Sequence, residues 1–289
     1  MMEQSRVGQP AVGPTGRMAA TSLSVRPRQA LRPRGFGAVN WLGVVSLTRR
    51  QWRNGLADYH YQILGPVVSS LLYLAVFHLA LSTLGTGGGD MLHFIAPGLI
   101  IYAACEKAYE SAAATLILDK HERVIVDMLM APLTAIERTV AYAIGACGSG
   151  LAVGFAVAVA TLIFARQIPA APLALIYFAV AGTIMHGLIG TLVGIWAQKW
   201  DQYAVIHTFL LLPLSFLSGV FYRVDSLPAV AQFLIGFNPI FYVIDGFRRG
   251  FSGDGVSHPL LAAGIVLLVD LFLFLSVYLC FRRGYRLKP

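Results

Sequence analysis

Asp119-Lys120-His121-Glu122-Arg123-Val124-Ile125-Val126-Asp127-Met128-Leu129-Met130-Ala131-Pro132-Leu133-Thr134-Ala135-Ile136-Glu137-Arg138 separates two long apolar runs. Eight of these residues are ionisable, in a chain where only 12% are Asp, Glu, Lys or Arg. An apolar run of about 20 residues on either side is long enough to cross a hydrocarbon layer as a helix. The island must then lie in water between two spans. That reading sets the fold class: an all-α membrane protein.

The rest of the chain agrees. Of 289 residues, 57% are hydrophobic, and mean hydropathy is +0.68. The charged share is about half that of an ordinary soluble domain. Six stretches read as transmembrane helices, at about 63–84, 91–118, 140–164, 173–197, 203–222 and 259–281. Gly65-Pro66 opens the first of them, and Thr86-Gly87-Gly88-Gly89-Asp90 reads as the turn that follows it. Residues 223–258 hold a shorter apolar stretch interrupted by Asn238-Pro239, with Pro228 suited to the first turn of a helix. This length predicts outer re-entrant helices rather than a crossing. Residues 39–285 thus form one transmembrane domain.

Ahead of it, residues 1–38 carry Arg6, Arg17, Arg26, Arg28, Arg32 and Arg34 against Glu3. The composition predicts a disordered basic tail at anionic lipid; an organelle transit peptide shares it. From Val39 to Tyr61, the residues Trp41, Val45, Trp52, Leu56 and Tyr59 fall on one helical face, with Arg49, Arg50 and Arg53 elsewhere. That pattern suits an amphipathic helix lying in the membrane interface.

Charge sets the orientation. The net charge of +8 points to loops under the positive-inside rule and not to nucleic acid. With the N-terminus inside, 17 of the 22 Lys and Arg lie on the inner side, and Arg166, Arg223, Arg248 and Arg249 lie outside. Both termini and the island are therefore expected in the cytosol.

Little in the chain suits catalysis. Cys105, Cys147 and Cys280 sit in apolar runs with no metal-ligand spacing, so no metal or cofactor is expected. None of the four lysines follows a glycine, so the chain has no phosphate-binding P-loop. Glu106, Lys107 and Glu110, beside Tyr109, lie near the middle of the second span. Lys107 and Glu110 can pair at i, i+3, which leaves one carboxylate over. Two readings fit them: a polar patch on a translocation path, or a structural ion pair between helices. His78, His186, His207 and Asp270 read as single, satisfied residues of the bundle interior. Gly150-x-x-x-Gly154 and Gly190-x-x-x-Gly194 predict close helix packing within the chain.

Within the island, Asp119, Arg123 and Asp127 fall at i, i+4 and i+8 and predict one charged stripe on a short helix. Ile125, Met128 and Leu129 form an apolar patch about opposite. Pro132 stops the helix. Thr134-x-x-Glu137 is a capping box that starts the next span.

These segments resemble the membrane subunits of ABC exporters of the second type, which include permeases for O-antigen, teichoic acid, capsule and nodulation-factor export and for some drugs. The resemblance rests on Glu122, Asp127, Leu129, Ala131 and Pro132 in the island, on Phe94-Ile95-Ala96-Pro97-Gly98-Leu99-Ile100, and on Leu217-Ser218-Gly219-Val220-Phe221-Tyr222 with Asp225-Ser226-Leu227-Pro228. Phe237-Asn238-Pro239-Ile240-Phe241-Tyr242-Val243-Ile244-Asp245-Gly246-Phe247-Arg248 completes it. It implies a homodimer in a bacterial inner membrane with two copies of a separate ATPase, which would hold the ATP and Mg. The island helix, with Glu122, Arg123, Asp127, Met128, Leu129 and Pro132, would couple to that ATPase. The cargo would be a lipid, a glycolipid or polysaccharide, or a hydrophobic compound. Glu106-Lys107-x-x-Glu110 is more charged than the family pattern at that place. The alternative is a multi-pass membrane enzyme acting on lipid-linked substrates, which would need clustered carboxylates at the interface.

Overall fold

In a computed structural model of the chain, residues 39–56, 58–83, 88–165, 167–253 and 255–286 are described. The basic tail expected over 1–38 lies outside them. Every regular element among the described residues is helical. Helix α1 is Trp41–Gly55, started by Asn40, whose side chain accepts from the Gly43 amide. Helix α2 is Tyr59–Thr83. It carries Pro66 inside, so Gly65-Pro66 does not open the span as expected; the helix starts a turn and a half earlier.

Helix α3, Gly88–His121, has 34 residues. At about 1.5 Å per residue it reaches about 51 Å, well past a hydrocarbon core. The predicted turn over 86–90 is thus partly helix, since α3 begins at Gly88. Helix α4, Ile125–Met130, follows, and then α5, Ala135–Ala165, and α6, Pro172–Trp196. Helix α7, Trp200–Ile206, passes through a π-helical turn, His207–Leu211, into α8, Leu212–Leu217. A 3₁₀ turn, Val224–Ser226, leads to α9, Ala229–Ile235, and α10, Pro239–Ser252. Helix α11, Pro259–Arg283, ends at Gly284, whose φ of 62° is the left-handed cap a glycine supplies.

Five of these are long and apolar enough to cross a membrane: His60–Ala80, Met91–His121, Ala135–Ile163, Pro172–Trp196 and Pro259–Arg283. α9 and α10 meet at 94°, either a broken span or a re-entrant loop. The expected span at 203–222 differs most. Its helix covers 200–217 and stops there, because Ser218 leaves helical geometry and Gly219 has φ +80°. Its middle is the π turn.

α3 is the core of the bundle. Two-thirds of its apolar window is buried (67%), against 11% for α2 and 17% for α11. It runs between α5 and α6, and glycine lets it come close to both. A Cβ on Gly150 would lie 2.5 Å from the Ala104 carbonyl oxygen, and one on Gly190 would lie 2.3 Å from that of Tyr109. Both predicted small-residue pairs therefore face α3 within the chain.

Candidate functional site

The island is not one charged helix. α3 carries its first residues to His121, and Arg123 takes a φ of +60° that breaks the turn before α4. The expected stripe of Asp119, Arg123 and Asp127 therefore does not form. Asp119 belongs to α3, is 1% exposed, and is ion-paired with Arg50 of α1. Arg50 is thus not on the open polar side with Arg49 and Arg53. Lys120 turns to α6, where it donates to the carbonyls of Gly194 at 2.9 Å and Ala197 at 3.0 Å, and also to that of Ile195. These are the unsatisfied carbonyls of a helix C-terminus, and a cation suits that end of the helix dipole.

Around α4 the polar contacts converge. Thr134 and Glu137 form the expected capping box, with the Thr134 amide donating to Glu137 Oε2 at 2.6 Å and the Glu137 amide donating to Thr134 Oγ1 at 3.3 Å. The second Glu137 oxygen accepts from the Asn40 amide at 2.6 Å, which ties α1 to α5. Asn40 Nδ2 donates to the Pro132 carbonyl at 3.1 Å. Arg138 donates to the Leu129 carbonyl at 2.9 Å, at the C-terminal end of α4. The Tyr142 hydroxyl donates to Met128 Sδ at 3.1 Å.

This locks one side of α4 inward. Ile125 and Met128 are buried and Leu129 is half-buried. Met128, expected on the coupling surface, is thus a bundle contact, since a six-residue helix hides its apolar side against the α5 start. The open side consists of Glu122, Arg123, Val126, Asp127, Met130 and Pro132, with Met130 71% exposed. Val126 and Met130 are one turn apart and were not singled out from the sequence. The signal was there: an apolar pair at i, i+4 on the face away from Ile125 and Met128.

α1 lies against α5 through Val44, Leu47, Gln51 and Gly55. Trp41 and Val45 remain exposed beside Arg49 and Arg53, while the Trp52 indole lies on Gly148 of α5 with about half of its surface open. The helix thus has a packed face, an open aromatic face and an arginine edge, a division suited to an interface.

In the middle of α3, Lys107 is 3% exposed and donates to Glu110 Oε2 at 3.2 Å and to Gln62 of α2. The i, i+3 pair is present as expected. The remaining carboxylate, Glu106, meets His207 Nε2 at 3.3 Å. His207 is therefore not a solitary interior residue; it begins the π turn and stacks with Tyr109 at 5.7 Å. π turns often mark working sites. A cavity of about 360 Å³ opens beside these charges, between α2, α3 and α8. It is lined by Ser69, Ser70, Tyr73, Tyr102, Glu106, Lys107, Glu110 and Phe216, among others. A chamber of about 20 Å³, about one water in size, lies next to it against Glu106, Tyr109, His186 and His207.

Pro228, Asn238 and Pro239 belong to the α9–α10 segment, whose Ile240 also lines the small chamber. Pro228 precedes α9 as its N-cap, and Pro239 is the first residue of α10. Asn238 Oδ1 accepts from the Ile240 amide at 3.1 Å, while its Nδ2 donates to Leu214 O at 2.8 Å and Ser218 Oγ at 2.7 Å. Arg248, expected as an outer cation with no site role, stacks on Phe94 at 3.7 Å and donates to the Phe94 and Gly219 carbonyls. An arginine in an apolar helix was the clue. Asp245 beside it accepts from the Val256 and Ser257 amides.

The sequence pattern of the family described as ABC-2 type transporter matches residues 43–251. The chain is 29% identical over 256 residues to the inner membrane transport permease YadH of Escherichia coli K12, covering 86% of this chain and 98% of that one. It is 27% identical over 256 residues to nodulation protein J of Rhizobium leguminosarum bv. viciae, covering 86% and 95%.

Proposed function

Since the chain belongs to the ABC-2 type transporter family and is thus a multi-pass permease subunit of an ABC transporter, we propose that it is the membrane half of an exporter. It works as a homodimer in a bacterial inner membrane, with both termini in the cytosol. Two copies of a separate ATPase bind ATP and Mg and close against it. Its cargo is a lipid, a glycolipid or polysaccharide, or a hydrophobic compound. α1 lies in the cytosolic interface, with Trp41 and Trp52 in the headgroup layer and Arg49 and Arg53 at phosphates.

One observation carries the reading. α4 has a locked side and an open side, and the open side mixes Val126 and Met130 with Glu122 and Asp127. An apolar centre with a charged rim is what a protein partner docks on. Arg138 ties the end of α4 to α5, and Arg50–Asp119, Lys120 at the α6 end and Asn40–Glu137 tie α1, α3, α5 and α6 to one another. A push on α4 therefore moves the ends of α1, α3, α5 and α6 together.

Reconstitution tests this. The chain alone in proteoliposomes hydrolyses no ATP. With its ATPase it hydrolyses ATP and moves lipid or a lipophilic compound outward. ATP turnover by the isolated chain, or the same transport without the ATPase, contradicts the reading.

A further inference from the structure

Docking at α4 gives no task to the charges in the middle of α3. Two carboxylates there meet one ammonium, so a single negative charge is in excess when His207 is neutral. No other charged side chain lines the cavity among the described residues. Lys107 is enclosed and committed to Gln62 and Glu110, whereas Glu106 and Glu110 are 37% and 42% exposed. Excess charge at membrane depth calls for a counter-charge.

Aromatic rings complete the lining, Tyr102 from α3 itself and Tyr73 and Phe216 from α2 and α8. Tyr73, Tyr102 and Phe216 line the cavity, and the rings continue through Phe221, 5.8 Å from Tyr73 and 5.3 Å from Phe216. Ring faces attract cations as well as apolar bodies. A second observation is independent of the carboxylates. Tyr109 is fully buried, lines the adjoining small chamber with Glu106, and its hydroxyl has no hydrogen-bond partner among the described residues. A buried polar atom of this kind needs a partner, and water or a ligand group can supply one.

We infer that this cavity binds an organic cation with an apolar body: an amine or onium group facing Glu106 and Glu110, and its hydrocarbon frame against Tyr73, Tyr102 and Phe216. A phosphate-linked lipid would bring like charge to both carboxylates and is disfavoured. The inference rests on the export reading only for the step from bound to carried; binding itself needs no ATPase.

The test uses the full chain in phosphatidylcholine nanodiscs, with equilibrium dialysis of labelled tetraphenylphosphonium. Tetraphenylborate, of the same shape and opposite charge, is the control, and empty nanodiscs give the background. Tetraphenylphosphonium binds saturably to the wild type, and tetraphenylborate does not. Glu106→Gln with Glu110→Gln weakens the cation by about tenfold or more. Ser69→Trp fills the cavity from an exposed position on α2 and abolishes binding. It decides the matter alone if the double variant fails to fold. No saturable binding, equal binding of both ions, or wild-type binding by the folded variants overturns the site. The export reading fails separately. Binding without ATP-driven movement in the complex keeps the site and removes this compound class as cargo. ATP-driven movement of another compound with no cation binding does the reverse.

Discussion

The two ends of one helix's charge pattern behave differently. At the C-terminal end of α3, Asp119 and Lys120 are spent on fixed partners in α1 and α6. In its middle, Glu106 and Glu110 face a cavity with over a third of their surface open. Charge density alone does not separate the two places. Lys120 is held because α6 ends beside it, and Asp119 because the Arg50 side chain of α1 reaches it. Helix ends offer unsatisfied groups that hold a charged side chain in one geometry. Mid-helix surfaces offer none, so the charges there take side-chain partners, Lys107 with Glu110 and Gln62 and Glu106 with His207, and the carboxylates keep part of their surface open.

The largest expected effect is at the fixed end. Asp119→Ala leaves Arg50 without its partner and should lower stability by about 3 kcal/mol. That is the low end for a broken buried pair, because Arg50 keeps 33% of its surface exposed. Thermal unfolding of the purified chain in detergent checks it; a change within experimental error would show that the end of α3 is held by packing alone.

Next comes the closed side of the middle. Gly190→Ala puts a methyl 2.3 Å from the Tyr109 carbonyl oxygen, which α3 and α6 can accept only by moving apart. Overpacking of this kind costs about 2 kcal/mol. The same melting assay reads it, and a neutral result would mean that the helices are not in tight contact there. The open side should tolerate more. Glu106→Gln with Glu110→Gln should change stability by less than about 1 kcal/mol, as for partly exposed pairs. A loss as large as that of Asp119→Ala would erase the contrast and make the middle charges structural.

Local signals were legible in the sequence. Hydropathy marked the long helices, Asn238-Pro239 marked the bend between α9 and α10, Thr134-x-x-Glu137 marked the start of α5, and i, i+3 spacing marked Lys107–Glu110. Each depends on residues within one continuous segment of chain. The contacts that build the site do not. Asn40 meets Glu137 across 97 positions and Arg50 meets Asp119 across 69, and nothing in either segment names its partner. The charged stripe failed for a related reason. Periodicity assumes an unbroken helix, and a single left-handed residue, Arg123, turned Asp119 inward and Asp127 outward. Met128 was misplaced because a patch read from one helix does not say which side faces the bundle.

The smallest effect on stability should accompany the largest effect on partnership. Asp127→Arg and Met130→Asp alter exposed positions on the open side of α4 and should leave stability unchanged within about 0.5 kcal/mol. Affinity capture of the ATPase by the tagged full-length chain, wild type beside these variants, measures docking at α4. The wild type should retain the ATPase, and both variants, equally folded, should lose it. Full retention by both would contradict a docking role for α4.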